Sequence, residues 1–216
     1  MAPSHGHGQF VKDPLAHFRA IPWAARLLND PSAFNIIVSA RSPLPSGDQR
    51  FVRSVMNGAD AVRACVTFFQ KVSPPSPSSA KQGPAAGPVS KSATLLAGGG
   101  PMDGETPERP FLLLNALLDL GDGLCGHRGM LHGGAVAVML DETLCAAADS
   151  QSNFAFTATM TTRFLKPIGL PNVVLVRSRV VKRDGRKIFV RGTIEDGDGE
   201  YWPWPVWYGG EELTEA

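Results

Sequence analysis

His132, Gly133 and Gly134 stand side by side, and Asp141 follows nine residues after the histidine. Two glycines opening a helix expose backbone N–H groups, with no side chain to block the approach of a carbonyl oxygen. The helix dipole adds partial positive charge at the same point. A donor of this kind typically contributes about 3–4 kcal/mol where an oxyanion develops in the transition state. An aspartate is a carboxylate at neutral pH, so Asp141 is a candidate either to activate water or to attack directly. The chemistry suggested is hydrolysis at an acyl carbon. Gly133 and Asp141 are eight residues apart, which on one helix is about 12 Å along the axis. That is too far for both to act on one carbonyl carbon, so if both act they come from two chains and the site lies at a homodimer interface. The competing reading of Asp141 is a buried acid paired with Arg128 or Arg163, because a lone carboxylate on an apolar helix needs a function or a partner. His132 is expected to shape the loop by hydrogen bonding rather than to shuttle protons.

The elements that must position these residues are legible around them. Residues 134–148 (GAVAVMLDETLCAAA) are good helix formers, without proline and apolar nearly all round, which predicts a deeply buried helix. Before it come an apolar run at 111–120, read as a buried strand, and a glycine-studded loop at 121–133. After it Phe156, Ala158, Met160 and Phe164 alternate with Thr157, Thr159, Thr161 and Arg163. Residues 173–183 and 186–195 read as strands joined by a turn at Asp184-Gly185. One strand, one helix and a run of antiparallel strands is an α+β order, with a curled sheet wrapped on a central helix. Upstream, residues 15–28 read as an amphipathic helix with a break or new start at Pro22. Residues 60–70 offer a second helical pattern with Asp60 as N-cap. Between them and the strands, Pro, Gly and Ser fill 17 of the 29 positions 73–101, too little apolar surface to offset ordering entropy. The chain therefore divides into an N-terminal helical extension (1–72), whose helices could lid the pocket, a flexible insertion or linker (73–109) and a catalytic domain (110–216).

The segments GMLHGGAVAVMLDE, TATMTTRFLKPI and VKRDGRKIFVRGTI, in this order and spacing, resemble the PaaI-like hotdog-fold acyl-CoA thioesterases, and in particular the animal thioesterase superfamily members. The resemblance covers roughly residues 111–200. It implies a hotdog fold, hydrolysis of acyl-CoA or a related acyl thioester to acid and thiol, and homodimers that often pair into tetramers. It implies further that Thr157 is catalytic, its hydroxyl orienting water or the Asp141 carboxylate, and that Arg163, Arg186 and Lys187 contact CoA. Basic groups there suit the phosphates of CoA. No metal or redox cofactor is implied, since CoA enters as part of the substrate. Two departures stand out. Gly126 occupies the place where some relatives carry an asparagine. Residues 199–208 carry three tryptophans and two prolines where an alternating closing strand is expected, and the prolines fit only an edge or a non-strand conformation.

Bulk composition sets the outer bounds. The formal net charge of +1 gives no electrostatic footprint for nucleic acid. No apolar run reaches the roughly 20 residues of a membrane-spanning helix. Three scattered cysteines, Cys65, Cys125 and Cys145, fit no disulfide framework and point to a reducing compartment. The N-terminus lacks a secretory signal and has no Arg before Arg19, so the cytoplasm is expected, with mitochondria the alternative. His5 and His7 read as terminal residues rather than a metal site. The rival function is a catalytically weak hotdog protein that binds acyl thioesters or a protein partner. The Pro/Ser-rich insertion and the Trp-rich tail favour it.

Overall fold

The computed structural model describes residues 6–72, 102–152, 154–164, 166–197 and 207–212, the last of these as backbone. Helix α1 (Pro14–Arg19) starts at Asp13, whose Oδ1 accepts the Ala16 N–H at 2.9 Å. Helix α2 (Pro22–Leu28) starts on Pro22, as expected, because a first-turn position needs no donor. Strands β1 (Ala33–Val38), β2 (Val62–Gln70) and β3 (Leu113–Leu120) follow, with a π-helical turn at Phe51–Val55. A short ribbon of β4 (Cys125–His127) and β5 (Met130–Leu131) leads into α3 (Gly133–Asp149). Strands β6 (Ala155–Thr161), β7 (Asn172–Asp184), β8 (Lys187–Asp196) and β9 (Trp207–Glu212) complete the order.

Seven strands form one antiparallel sheet in the order β1-β2-β3-β7-β8-β9-β6. One face wraps α3. Val136, Met139, Leu140, Leu144 and Ala147 from the helix pack with Leu114, Leu118, Val176 and Ile194 from the sheet. The α+β arrangement of a curled sheet on a central helix is thus the observed one. The β7–β8 turn sits one residue later than expected, on Gly185 (φ +58°) and Arg186, with Asp184 opposite Lys187.

Residues 60–70 correct the expected helix: they are strand β2, paired with β3 from Val62↔Leu120 to Gln70↔Leu113. Its Ala64, Val66 and Phe68 face one layer and Cys65 the other, and all four are buried. A strand covered on both faces loses the alternation that marks a half-exposed one, so its apolar spacing passes for helical. The β-branched and aromatic content of the segment was the better guide. The expected lid is also corrected. Phe18, Ala24, Leu27 and Leu28 of α1 and α2 pack on Val66, Phe68, Leu117 and Leu175, the sheet face opposite α3. His17 Nε2 lies 3.0 Å from Asp119 Oδ2, and Arg63 also pairs with Asp119, which fixes α1 to the sheet. Residues 6–72 thus contribute two strands and an outer layer, not a helical appendage alone, and the sheet runs across the expected boundary at 110. The linker at 73–101 and the tryptophan–proline stretch at 199–206 lie outside the described residues, while Trp207 begins β9.

Candidate active site

The site is organised by the N-terminus of α3. His132 is its N-cap, and its Nδ1 accepts the Gly134 N–H at 2.8 Å. The backbone N–H of His132 donates to Leu124 O at 2.9 Å, tying the helix start to the preceding loop. The ring thus hydrogen-bonds within the loop-to-helix junction and engages the Gly134 amide. An amide bonded to its own cap is not offered to a substrate, because a cap works by satisfying one of the donors the helix leaves open. Gly133 is placed differently. It lies in the wall of a cavity of about 360 Å³ whose apolar lining includes Leu131, Val136, Leu140, Phe164, Ile168 and Ile194. A Cβ at Gly133 would meet the Phe164 ring at 3.4 Å, whereas one at Gly134 would meet His132 Nδ1 at 3.0 Å. Gly126, in the place of the relatives' asparagine, is equally close-packed: a Cβ there would lie 3.0 Å from His132 Cδ2. His132 occupies the space that a side chain at this position would need.

Asp141 sits two turns further along α3, on the flank facing β6. The Thr157 hydroxyl donates to its Oδ1 at 2.7 Å. Cys145, one turn on from Asp141, places Sγ 3.5 Å from the same Thr157 oxygen. The i+4 spacing of Cys145 from Asp141 is the sequence signal for this contact. Asp141 is half-buried and forms no ion pair with Arg128, Arg163 or any other cation among the described residues, so the structural pairing weighed against function is not made. Its neighbour Glu142 has its carboxyl pushed up, first by burial and next by the Asp141 charge. The two halves of the expected machinery therefore sit on one continuous helix: Gly133 lines the cavity, and Asp141 is not among its lining residues.

The predicted CoA contacts divide. Arg163 joins Gly133 in the cavity wall, with Lys166 beside it, a residue the sequence did not single out. Arg186 and Lys187 are exposed at the β7–β8 turn. Lys187 stands opposite Glu211, and Glu211 opposite Phe156. It is therefore two strand spacings, about 10 Å, from the strand that carries Thr157.

Comparison with known proteins now adds identity to this geometry. Residues 128–202, which run from the loop before His132 through β8, match the family model described as thioesterase superfamily. Over these residues the chain is similar to the thioesterase superfamily. Mouse acyl-coenzyme A thioesterase THEM4 is 41% identical over 83 residues, 38% of this chain and 36% of that protein. The Xenopus laevis protein of the same name is 38% identical over 82 residues, 38% of this chain and 37% of that one. The match thus spans little more than a third of those relatives. Among solved structures, the E. coli PaaI protein is 14% identical with a TM-score of 0.43, over 47% of this chain and 73% of that one. A Streptococcus pneumoniae hypothetical thioesterase solved with coenzyme A is 14% identical, again at 0.43, over 46% of this chain and 79% of that one. The antiparallel sheet wrapped on α3 is the α+β hotdog arrangement. Among the described residues no group of three or more His, Cys, Asp or Glu is placed to hold a metal, and His5 lies outside them. No described helix is long and apolar enough to cross a membrane.

Proposed function

We propose that this protein hydrolyses acyl-CoA thioesters in a homodimer, with Gly133 of one protomer facing Asp141 of the partner subunit. The observation that carries the reading is the half-buried Asp141 carboxylate, held by the Thr157 hydroxyl at 2.7 Å and without an ion pair among the described residues. A carboxylate kept from cations and aimed by one hydroxyl keeps its remaining lone pairs for a water proton. Asp141 takes that proton as the water oxygen bonds to the thioester carbon. The resulting oxyanion accepts the Gly133 N–H at the positive end of α3. Collapse of this intermediate breaks the C–S bond, and the thiolate leaves with the proton. The cavity beside Gly133 would then hold the atoms next to the thioester. Arg163 and, from the hairpin, Arg186 and Lys187 would meet the phosphates of CoA. The rule that one helix cannot bring Gly133 and Asp141 to one carbon makes the dimer part of the mechanism, with tetramers a further step. Three free thiols, Cys65, Cys125 and Cys145, support a reducing compartment, which we take to be the cytoplasm.

One observation favours the rival reading, an acyl-thioester binder with little turnover: the Gly134 amide is already spent on His132. Free-thiol release from a panel of acyl-CoAs, measured on wild type and Asp141→Asn, separates the two. Turnover in the wild type that falls by about three orders of magnitude in the variant, the scale on which loss of a general base acts, supports hydrolysis. No release above background by the wild type, with acyl-CoA still bound, hands the case to the binder.

A further inference from the structure

Asp141 and Cys145 are four residues apart on α3, about one turn, so their side chains leave the helix on the same flank. Strand β6 runs along that flank, and Thr157 meets both: its Oγ1 lies 2.7 Å from Asp141 Oδ1 and 3.5 Å from Cys145 Sγ. The two contacts are not alike. A threonine hydroxyl has one proton to give and two lone pairs that accept. A carboxylate only accepts, so the hydroxyl proton lies between Thr157 and Asp141. Across the second contact the hydroxyl therefore offers lone pairs alone. Cys145 is a free thiol, and its S–H is the group that can bridge sulfur and oxygen. The direction of the chain follows. The Cys145 S–H donates to Thr157 Oγ1, and the Thr157 O–H donates to Asp141 Oδ1.

Two effects reach the carboxylate along this chain. A hydroxyl that accepts one hydrogen bond becomes a better donor of the next, because bonds in series polarise one another. The S–H also takes one lone pair of Thr157 and so selects the hydroxyl orientation that points the proton at Asp141. That proton is then unavailable to a water, which leaves Thr157 to aim the carboxylate. The sequence of α3 gives position 145 its character. Residues 145–148 read Cys-Ala-Ala-Ala, so the helix presents small side chains there, and Cys145 is the one among them with a polar hydrogen. The nearby hydroxyl of Thr143 donates back to Met139 O at 2.8 Å and takes no part.

We propose that Cys145 is a positioning residue for the hydrolysis, its S–H holding the Thr157 hydroxyl with the proton on Asp141. The proposal rests on the thioesterase reading and deepens it: Cys145 touches no reacting atom and acts through Thr157.

The test is a cycle of Cys145→Ala, Thr157→Val and the double variant on the full chain, assayed by thiol release from an acyl-CoA that the wild type cleaves. Cys145→Ala extends a run of alanines already in the helix, so the fold is kept. It is expected to lower kcat by about two- to tenfold, the scale of one hydrogen bond, with KM unchanged. Added to Thr157→Val, the same substitution is expected to cause no further loss, because the hydroxyl it acts through is gone. Equal losses in both backgrounds show a merely structural role and overturn the proposal, and so does an unchanged kcat in Cys145→Ala. The infrared S–H stretch of Cys145, isolated by subtracting the Cys145→Ala spectrum, reads the bond without turnover. It is expected at higher frequency in Thr157→Val than in wild type. A band that does not move overturns the proposal and leaves the hydrolase reading intact. No thiol release by wild type from any acyl-CoA overturns the hydrolase reading and the role of Cys145 in it, while the band still decides whether the sulfur–hydroxyl bond exists.

Discussion

At the scale of single residues, one hydrogen bond sets the two glycine amides apart. His132 and the two glycines are consecutive, so the sequence offers both amides equally. The imidazole turns back to take the Gly134 N–H and leaves Gly133 facing the cavity. A cap of this kind is replaceable by any short acceptor that reaches N2 or N3. His132→Asn is therefore expected to keep most of the stability, and His132→Ala to lose about 0.5–2 kcal/mol, the usual cost of a missing N-cap. Urea melts of the two variants measure this directly. Equal stability of both variants would mean that the imidazole bond carries no weight. The same scale holds the contact between the two candidate catalytic residues. Asp141 and Thr157, sixteen residues apart, meet at 2.7 Å.

Among the elements, β2 and the pair α1–α2 explain each other. The strand is apolar on both sides because helices cover both, with α3 on one face and α1–α2 on the other. Phe18 of α1 is fully buried in that outer layer, on the sheet face away from Gly133 and Asp141. Truncation there leaves a cavity that rigid neighbours cannot fill. Phe18→Ala should cost about 3–5 kcal/mol, readable as a lower denaturation midpoint with an unchanged denaturant slope. A loss under about 1 kcal/mol would place α1 outside the cooperative core.

For the whole molecule, the question is what covers the β6 edge. Strand β6 ends the sheet, and Phe154, Phe156 and Phe164 on and beside it are 70%, 58% and 57% exposed. An uncovered edge with large apolar side chains invites pairing with another chain. Thr157 and the flank of α3 that bears Asp141 lie at this edge, where a second protomer would bring its own Gly133. The double variant Phe154→Asp, Phe156→Asp is expected to shift the mass in solution to that of a monomer and to abolish thiol release in parallel. A monomeric variant with wild-type turnover, seen by light scattering and the thiol assay together, would refute the intersubunit site.

What the sequence determined by itself is what depends on neighbours in the chain. The central helix, its cap residue, the proline start of α2, the β7–β8 hairpin and the order of α+β elements all rest on short-range patterns of glycine, proline and apolar spacing. The family resemblance added Thr157 to Asp141, a pair the structure brings into contact. The tertiary structure alone decided the rest. That β2 is a strand follows from eight paired positions on β3, some fifty residues distant. The face on which α1 and α2 lie depends on the alternation of a sheet not yet assembled. A cavity under Arg41 gathers residues from β2, β3, α3 and the β1–β2 connection. An arginine in a loop reads as solvated, and only the packing around Arg41 removes the water.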